Sequence, residues 1–268
     1  MKRILSIIVL FVLIISLVKA IEIAVEVRGT ILGKPGFFNY SKEAKNLAWF
    51  FVNWENTGSV SCRSRMRVDI YNDSEIIYTA WSKAEKIEPG GNADLKAYWY
   101  PYENGSYEAK IKIYQCNEIF EVKRVNFSSL IEKQEQLLGK VEIKNDENFV
   151  HITFEPEEPI KNLVGVVDYY PKGWIFDYDE VSDIEQGKKI ELKIGYSTEV
   201  WKPRRIRIDL LADDGRKHMS YEYTLKEIGI WDKLRRNPWI LISIISILIN
   251  IYLIIKGKIL LVLKKRKV

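Results

Sequence analysis

The chain has 268 residues, 47% hydrophobic and 29% charged, with two cysteines and two histidines. That is enough to bury one large or two small cores and excludes a disordered tail. Nine of the 41 basic residues lie before residue 21 or after residue 255, leaving 32 against 36 acidic residues between, so the nominal charge of +5 belongs to the ends and a nucleic-acid groove loses its electrostatic argument.

In chain order, Met1, Lys2 and Arg3 precede an uncharged apolar run from Ile4 to Val18 and the small-residue site Val18-Lys19-Ala20. This pattern predicts a secretory signal over 1–20, or, if it is retained, an N-terminal anchor. From residue 21 the apolar period shortens to two, with turn signals at Asn56-Thr57-Gly58, Pro89-Gly90-Gly91 and Asn104-Gly105-Ser106. Strands are expected near 21–32, 46–55, 62–71, 75–84, 92–100, 105–115 and 118–127. On the segment 62–71, Cys62, Met66, Val68 and Ile70 share one face, expected as core. Arg63, Arg65, Arg67 and Asp69 share the other, expected as wet.

Ser129 with Glu132 has the spacing of a capping box, and Gly139 can stop a helix, which predicts a short helical linker over 128–139. A hairpin at 140–155 turning at Asn145–Asn148 opens a second β module over 140–229, with strands near 161–170, 188–195, 203–211 and 217–226. The run Trp239–Ile255, flanked by six positive charges in 256–268, predicts a membrane helix over 239–255 with a basic cytoplasmic tail at 256–268. The expected fold is therefore all-β, with two immunoglobulin-like β-sandwich modules at 21–127 and 140–229, a short joining helix and a C-terminal transmembrane helix.

The succession Asn56-Thr57-Gly58-Ser59, Arg67-Val68-Asp69-Ile70-Tyr71, Pro89-Gly90-Gly91 and Gly105-Ser106-Tyr107-Glu108-Ala109-Lys110-Ile111 resembles the CARDB-like, immunoglobulin-related domains of prokaryotic cell-surface proteins. The similarity covers residues 22–127. The segment Asp168-Tyr169-Tyr170-Pro171-Lys172-Gly173-Trp174 is similar to more distant surface domains of archaea and bacteria. The resemblance implies an extracellular spacer or adhesion module and carries over no catalytic residue. The abundance of lysine and isoleucine, with only four glutamines, resembles the composition of heat-adapted organisms.

Cys62 and Cys116 fall in the part expected outside the membrane, and a disulfide between them is the first reading; two buried thiols are the other, because alternation places Cys116 with Lys110 and Lys112 unless a bulge rotates it. His151 and His218 lie on separate expected strands or turns and read as exposed or edge residues, and no nucleophile elbow or Gly-rich phosphate loop occurs. Asp177-Tyr178-Asp179-Glu180, with Asp183 and Glu185, reads as a solvated acidic loop rather than a calcium site. Trp99 is expected in the core and Tyr98, Tyr100 and Tyr102 facing outward. Four acceptor triplets begin at Asn39, Asn72, Asn104 and Asn126, three of them expected in turns, and they predict a glycosylated outward domain.

These readings lead to a non-enzymatic, single-pass cell-surface protein acting in adhesion, envelope structure or assembly. Its expected partners are the membrane, other envelope proteins and surface glycans, with no cofactor, no metal and no nucleic acid. The competing expectations are an accessory subunit or receptor of an exporter or surface-layer machine, and a surface carbohydrate-binding protein or hydrolase.

Overall fold

Strict alternation decides the first-half strands. In the computed structural model, which describes residues 29–171, 173–197 and 204–226 together with Ser246 and Tyr252, Met66, Val68 and Ile70 are fully buried, as are Phe50, Val52, Ile111 and Ile113. The strands are β1 (Gly33–Tyr40), β2 (Glu43–Lys45), β3 (Ala48–Asn56), β4 (Cys62–Asn72), β5 (Glu75–Trp81), β6 (Glu85–Ile87), β7 (Asn92–Trp99), β8 (Gly105–Gln115) and β9 (Glu118–Leu130). One sheet has the order β1-β3-β7. The other runs β2-β9-β8-β4-β5, with β6 continuing the edge beside β4. Side chains of both sheets meet in one core around Trp54, Phe50, Met66 and Phe127, where burying each large apolar side chain contributes about 1.5–3 kcal/mol.

The second half repeats the plan with β10 (Glu135–Gln136), β11 (Gly139–Asn145), β12 (Phe149–Pro156), β13 (Ile160–Tyr169), β14 (Ile175–Phe176), β15 (Asp179–Ile184), β16 (Ile190–Ser197), β17 (Arg205–Ala212) and β18 (Lys217–Thr224). Its sheets are β10-β18-β17-β13-β15 and β11-β12-β16-β14, closed over Phe154, Leu163, Leu192 and Leu210. The described chain is thus all-β, in several sheets whose pairing is consistent with β-sandwich packing.

Three expectations need correction. The joining helix over 128–139 does not form: β9 stays paired to β8 through Ser129 and to β2 through Leu130, so ladder bonds take the backbone groups that a capping box would use. Beyond it Glu132 N–H donates to Asn46 Oδ1 at 2.8 Å, and Leu137 buries completely. Of the strand expected near 21–32, residues 29–32 are not in a strand and 21–28 lie outside the described residues; among the described residues the first strand is β1 at 33–40, whose Pro35 is tolerated at an edge, where the register shifts between Pro35 and Phe37. The wet face of β4 is largely covered, with Asp69 fully buried.

No helix among the described residues is long and apolar enough to cross a membrane. The expected signal at 1–20, the tail at 256–268 and, apart from Ser246 and Tyr252, the membrane helix at 239–255 lie outside the described residues.

Candidate functional site

The two halves meet along a seam with its own small core: Leu47 and Tyr100 pack on Val164, Val166, Tyr178 and Leu211, with Tyr98 beside them. The segment expected to be a solvated acidic loop lies here, because Asp179 and Glu180 open β15 and are pressed against the first half. Asp179 pairs with Lys83 and accepts the Lys193 N–H at 2.7 Å. Glu180 accepts Lys96 Nζ at 2.9 Å and the Tyr98 hydroxyl at 2.6 Å. Asp177 accepts the Gly195 N–H and faces Arg65 at 3.8 Å. Burial pushes the Asp177 carboxyl up to about 7, more than the Gly195 amide and Arg65 recover. Asp183 and Glu185 stay exposed, so the oxygens diverge, and among the described residues no group of three or more His, Cys, Asp or Glu is arranged to hold a metal ion.

The densest cluster was not singled out by the sequence. Asp168 and Asp209 lie on neighbouring strands, and the register shift between Val167 and Tyr169 turns Asp168 inward toward Asp209. Arg207 Nε donates to both Asp168 oxygens at 2.9 and 2.8 Å. Tyr102, from the first half, bonds Asp168 and reaches Asp209 at 3.0 Å. His218 Nε2 lies 2.7 Å from the other Asp209 oxygen, and its ring packs on Tyr100 at 4.7 Å. Burial and the adjacent carboxylate hold Asp168 above the usual range, whereas His218 and Asp168 hold Asp209 below it against the effect of burial. The carboxylate oxygens accept from Arg207, Tyr102 and His218.

Tyr98, Tyr100 and Tyr102 do point away from the first core, but each is spent on the seam; Tyr100 donates to Gln134 Oε1 at 2.7 Å. His151 lies between Glu191 at 2.7 Å and Asp146 at 3.1 Å, whose hydrogen bonds outweigh its burial and raise its pKa above the ordinary value.

A disulfide joins Cys62 and Cys116, whose Cα atoms are 5.3 Å apart. No bulge is needed. Cys116 and Asn117 form the two-residue turn between Gln115 and Glu118, both with positive φ (47° and 73°), as the primed hairpin turns require, and this rotates Cys116 off the alternation of β8. All four acceptor asparagines are exposed. Asn39 lies within β1 rather than in a turn, and Asn126 within β9. Three grooves, of about 560, 760 and 680 Å³, open along the seam. The first carries Asn39, Trp49 and Phe51; the second carries Ile76, Ile77, Tyr169 and Trp174; the third carries Arg63, Arg65 and Lys193.

No protein family profile matches the chain, and no curated protein matches it. Among solved structures, it is similar to the Pseudomonas fluorescens alkylpurine DNA glycosylase AlkC bound to DNA containing an abasic-site analogue, at TM-score 0.29 and 9% identity over 38% of this chain and 31% of that one. It is similar also to red sea bream transglutaminase (0.27, 10%, 75% and 32%) and to the N-terminal periplasmic domain of ScsB from Proteus mirabilis (0.27, 6%, 71% and 92%). The chain spans about a third of the length of the first two. At these scores the likenesses carry no functional argument.

Proposed function

We propose that the protein is a non-enzymatic, membrane-anchored cell-surface protein whose two immunoglobulin-like modules, the first of CARDB type, stand outside the membrane in adhesion, envelope structure or assembly. The observation that carries this is the disulfide: the chain's only two cysteines lie at bonding distance across β4 and the β8–β9 turn, and such bonds persist in oxidising surroundings. The apolar segments at 4–18 and 239–255 supply a route to that side and a means of staying there.

The seam supports a role in which the two modules are held in a fixed relation. A flexible tether needs little between its modules, whereas here ion pairs, tyrosine hydroxyls and a small apolar core join them, so the pair holds one geometry. The Asp168–Asp209 cluster belongs to this joint: its oxygens bond Arg207 and His218 of the second half and Tyr102 of the first. The test is protease shaving of intact cells followed by detection of both ends. Loss of residues 29–226 with survival of the lysine-rich 256–268 segment is the expected result. A chain that is digested only after lysis overturns the proposal.

A further inference from the structure

The outward face of the sheet β1-β3-β7 gathers rings around one acceptor asparagine. Register sets the rows: Asn39 is opposite Phe51 and Phe51 opposite Lys96; Phe37 is opposite Asn53; Trp49 is opposite Tyr98. Side chains alternate along a strand, so Phe37 shares this face with Asn39, and Trp49 with Phe51. Phe37 is 58% exposed and Trp49 37%, and the Phe37 and Phe51 rings tilt together at 6.0 Å. The groove of about 560 Å³ leads from Asn39 over Trp49 and Phe51 to Lys96 and, across the seam, to Asn162 and Asp214. Directly paired and diagonal neighbours on a sheet lie within reach of one another, and a patch of exposed rings marks a surface that something covers.

We propose that the cover is this chain's own N-linked glycan: a sugar chain on Asn39 that lies back along the sheet, stacking its C–H faces on Phe51, Phe37 and Trp49 and turning its hydroxyls to Lys96, Asn162 and Asp214. This rests on the outward placement of the middle of the chain. Asn39 Oδ1 accepts the Tyr40 N–H at 2.9 Å, which leaves Nδ2 to carry the sugar. Covalent attachment holds the glycan at high effective concentration beside the rings, so each weak stacking contact is enough. The rim of the groove is amide, cation and carboxylate, which suits hydroxyls better than an apolar peptide. Asn126 and Asn72, by contrast, face Glu108 and Glu75 across their strands.

Transfer forms the bond between Asn39 Nδ2 and C1 of the first sugar and breaks the C1–O bond of a polyprenyl-phosphate-linked donor, the amide proton leaving with the phosphate. Ser41, the third residue of the acceptor, is 8% exposed, and its Oγ accepts the Trp49 N–H at 3.0 Å. Attachment therefore precedes the docking of β1 on β3.

The test uses the full chain made in a host that N-glycosylates its surface proteins, with peptide mass spectrometry for occupancy and hydroxyl-radical footprinting of Phe37, Trp49 and Phe51. Asn39 should be occupied, and labelling of Trp49 and Phe51 should rise severalfold in Asn39→Gln but not in Asn72→Gln. Enzymatic release of the glycan from the folded protein should give the same rise, which guards against a misfolded variant. Occupied Asn39 with unchanged labelling overturns the inference, as does an empty Asn39. Protection that survives in Asn39→Gln and disappears on dilution assigns the face to a second copy, and also overturns it. Shaving the same cells separates the two proposals: if the middle of the chain is digested while any of these failures occurs, only the glycan cover falls.

Discussion

Tyr78 and Tyr170 hold each other's half of the molecule. The Tyr78 hydroxyl donates to the Val167 carbonyl at 2.7 Å and the Tyr170 hydroxyl to the Thr79 carbonyl at 2.5 Å, while the two rings meet edge-on at 6.0 Å. Each bond ties a main-chain carbonyl of one half to a side chain of the other. Tyr78→Phe and Tyr170→Phe should each cost about 1–2 kcal/mol. Because the rings remain in contact, the double variant should cost less than the two singles combined. Urea unfolding of the three variants checks this; strictly additive losses would show the bonds to be independent.

Reducing the Cys62–Cys116 bond, whose partners are 54 residues apart in sequence, should lower stability by about 4 kcal/mol on the chain-entropy model. The effect should be strongest in hydrogen exchange at β6 and the start of β4, which lie beside the bond. An unchanged unfolding midpoint in reductant would refute it.

Asp69 is fully buried and anchors a cationic pair: Arg67 Nε donates to it at 2.6 Å, Lys112 Nζ at 2.9 Å and Thr79 Oγ1 at 3.0 Å. Burial opposes its charge, but these partners prevail and hold its pKa below the ordinary value. Asp69→Ala leaves two neighbouring cations unpaired and should cost about 3 kcal/mol, with Asp69→Asn costing less. Thermal unfolding of both decides it, and equal losses would argue for lost packing instead of lost charge.

Stability should fall as pH rises from about 5 to about 8. Asp177 titrates near 7 when folded and near ~3.9 when unfolded. Between those values the folded chain binds a proton that the unfolded chain does not, and stability declines with rising pH until the penalty is complete above the folded value. His151, raised by Glu191 and Asp146 against its burial, acts with the same sign: its contribution is complete below ~6.5 and is lost as pH climbs through its raised folded value. Asp177→Asn should flatten the slope while keeping an acceptor for the Gly195 N–H. Urea midpoints across this range measure it, and a wild-type profile that rises with pH would reject the assignment.

Alternation made most strands legible: β3, β4, β7, β8 and the hairpin β11–β12 lie within a residue or two of their expected bounds. What escaped depends on long-range pairing. Ser129 and Glu132 have the local grammar of a helix start, but the ladder to β8 and β2 overrides it. Cys116 reads as misplaced until the turn's left-handed backbone is known. Asp177, Asp179 and Glu180 read as solvated because nothing in their spacing reports that Arg65, Lys83 and Lys96 will be brought opposite them. Asp168 and Asp209 are 41 positions apart, and only the shifted register of β13 makes them neighbours. Of the candidate site, the pairing of Cys62 and Cys116 was legible; the seam itself was not.

That single extra residue near Val167 has an evolutionary reading. It aims Asp168 at Tyr102 and leaves the Val167 carbonyl to Tyr78, so a one-codon deletion there would undo two separate fastenings in one event. The fit between the two halves would then be inherited as a unit, resisting gradual drift because no intermediate length preserves either fastening.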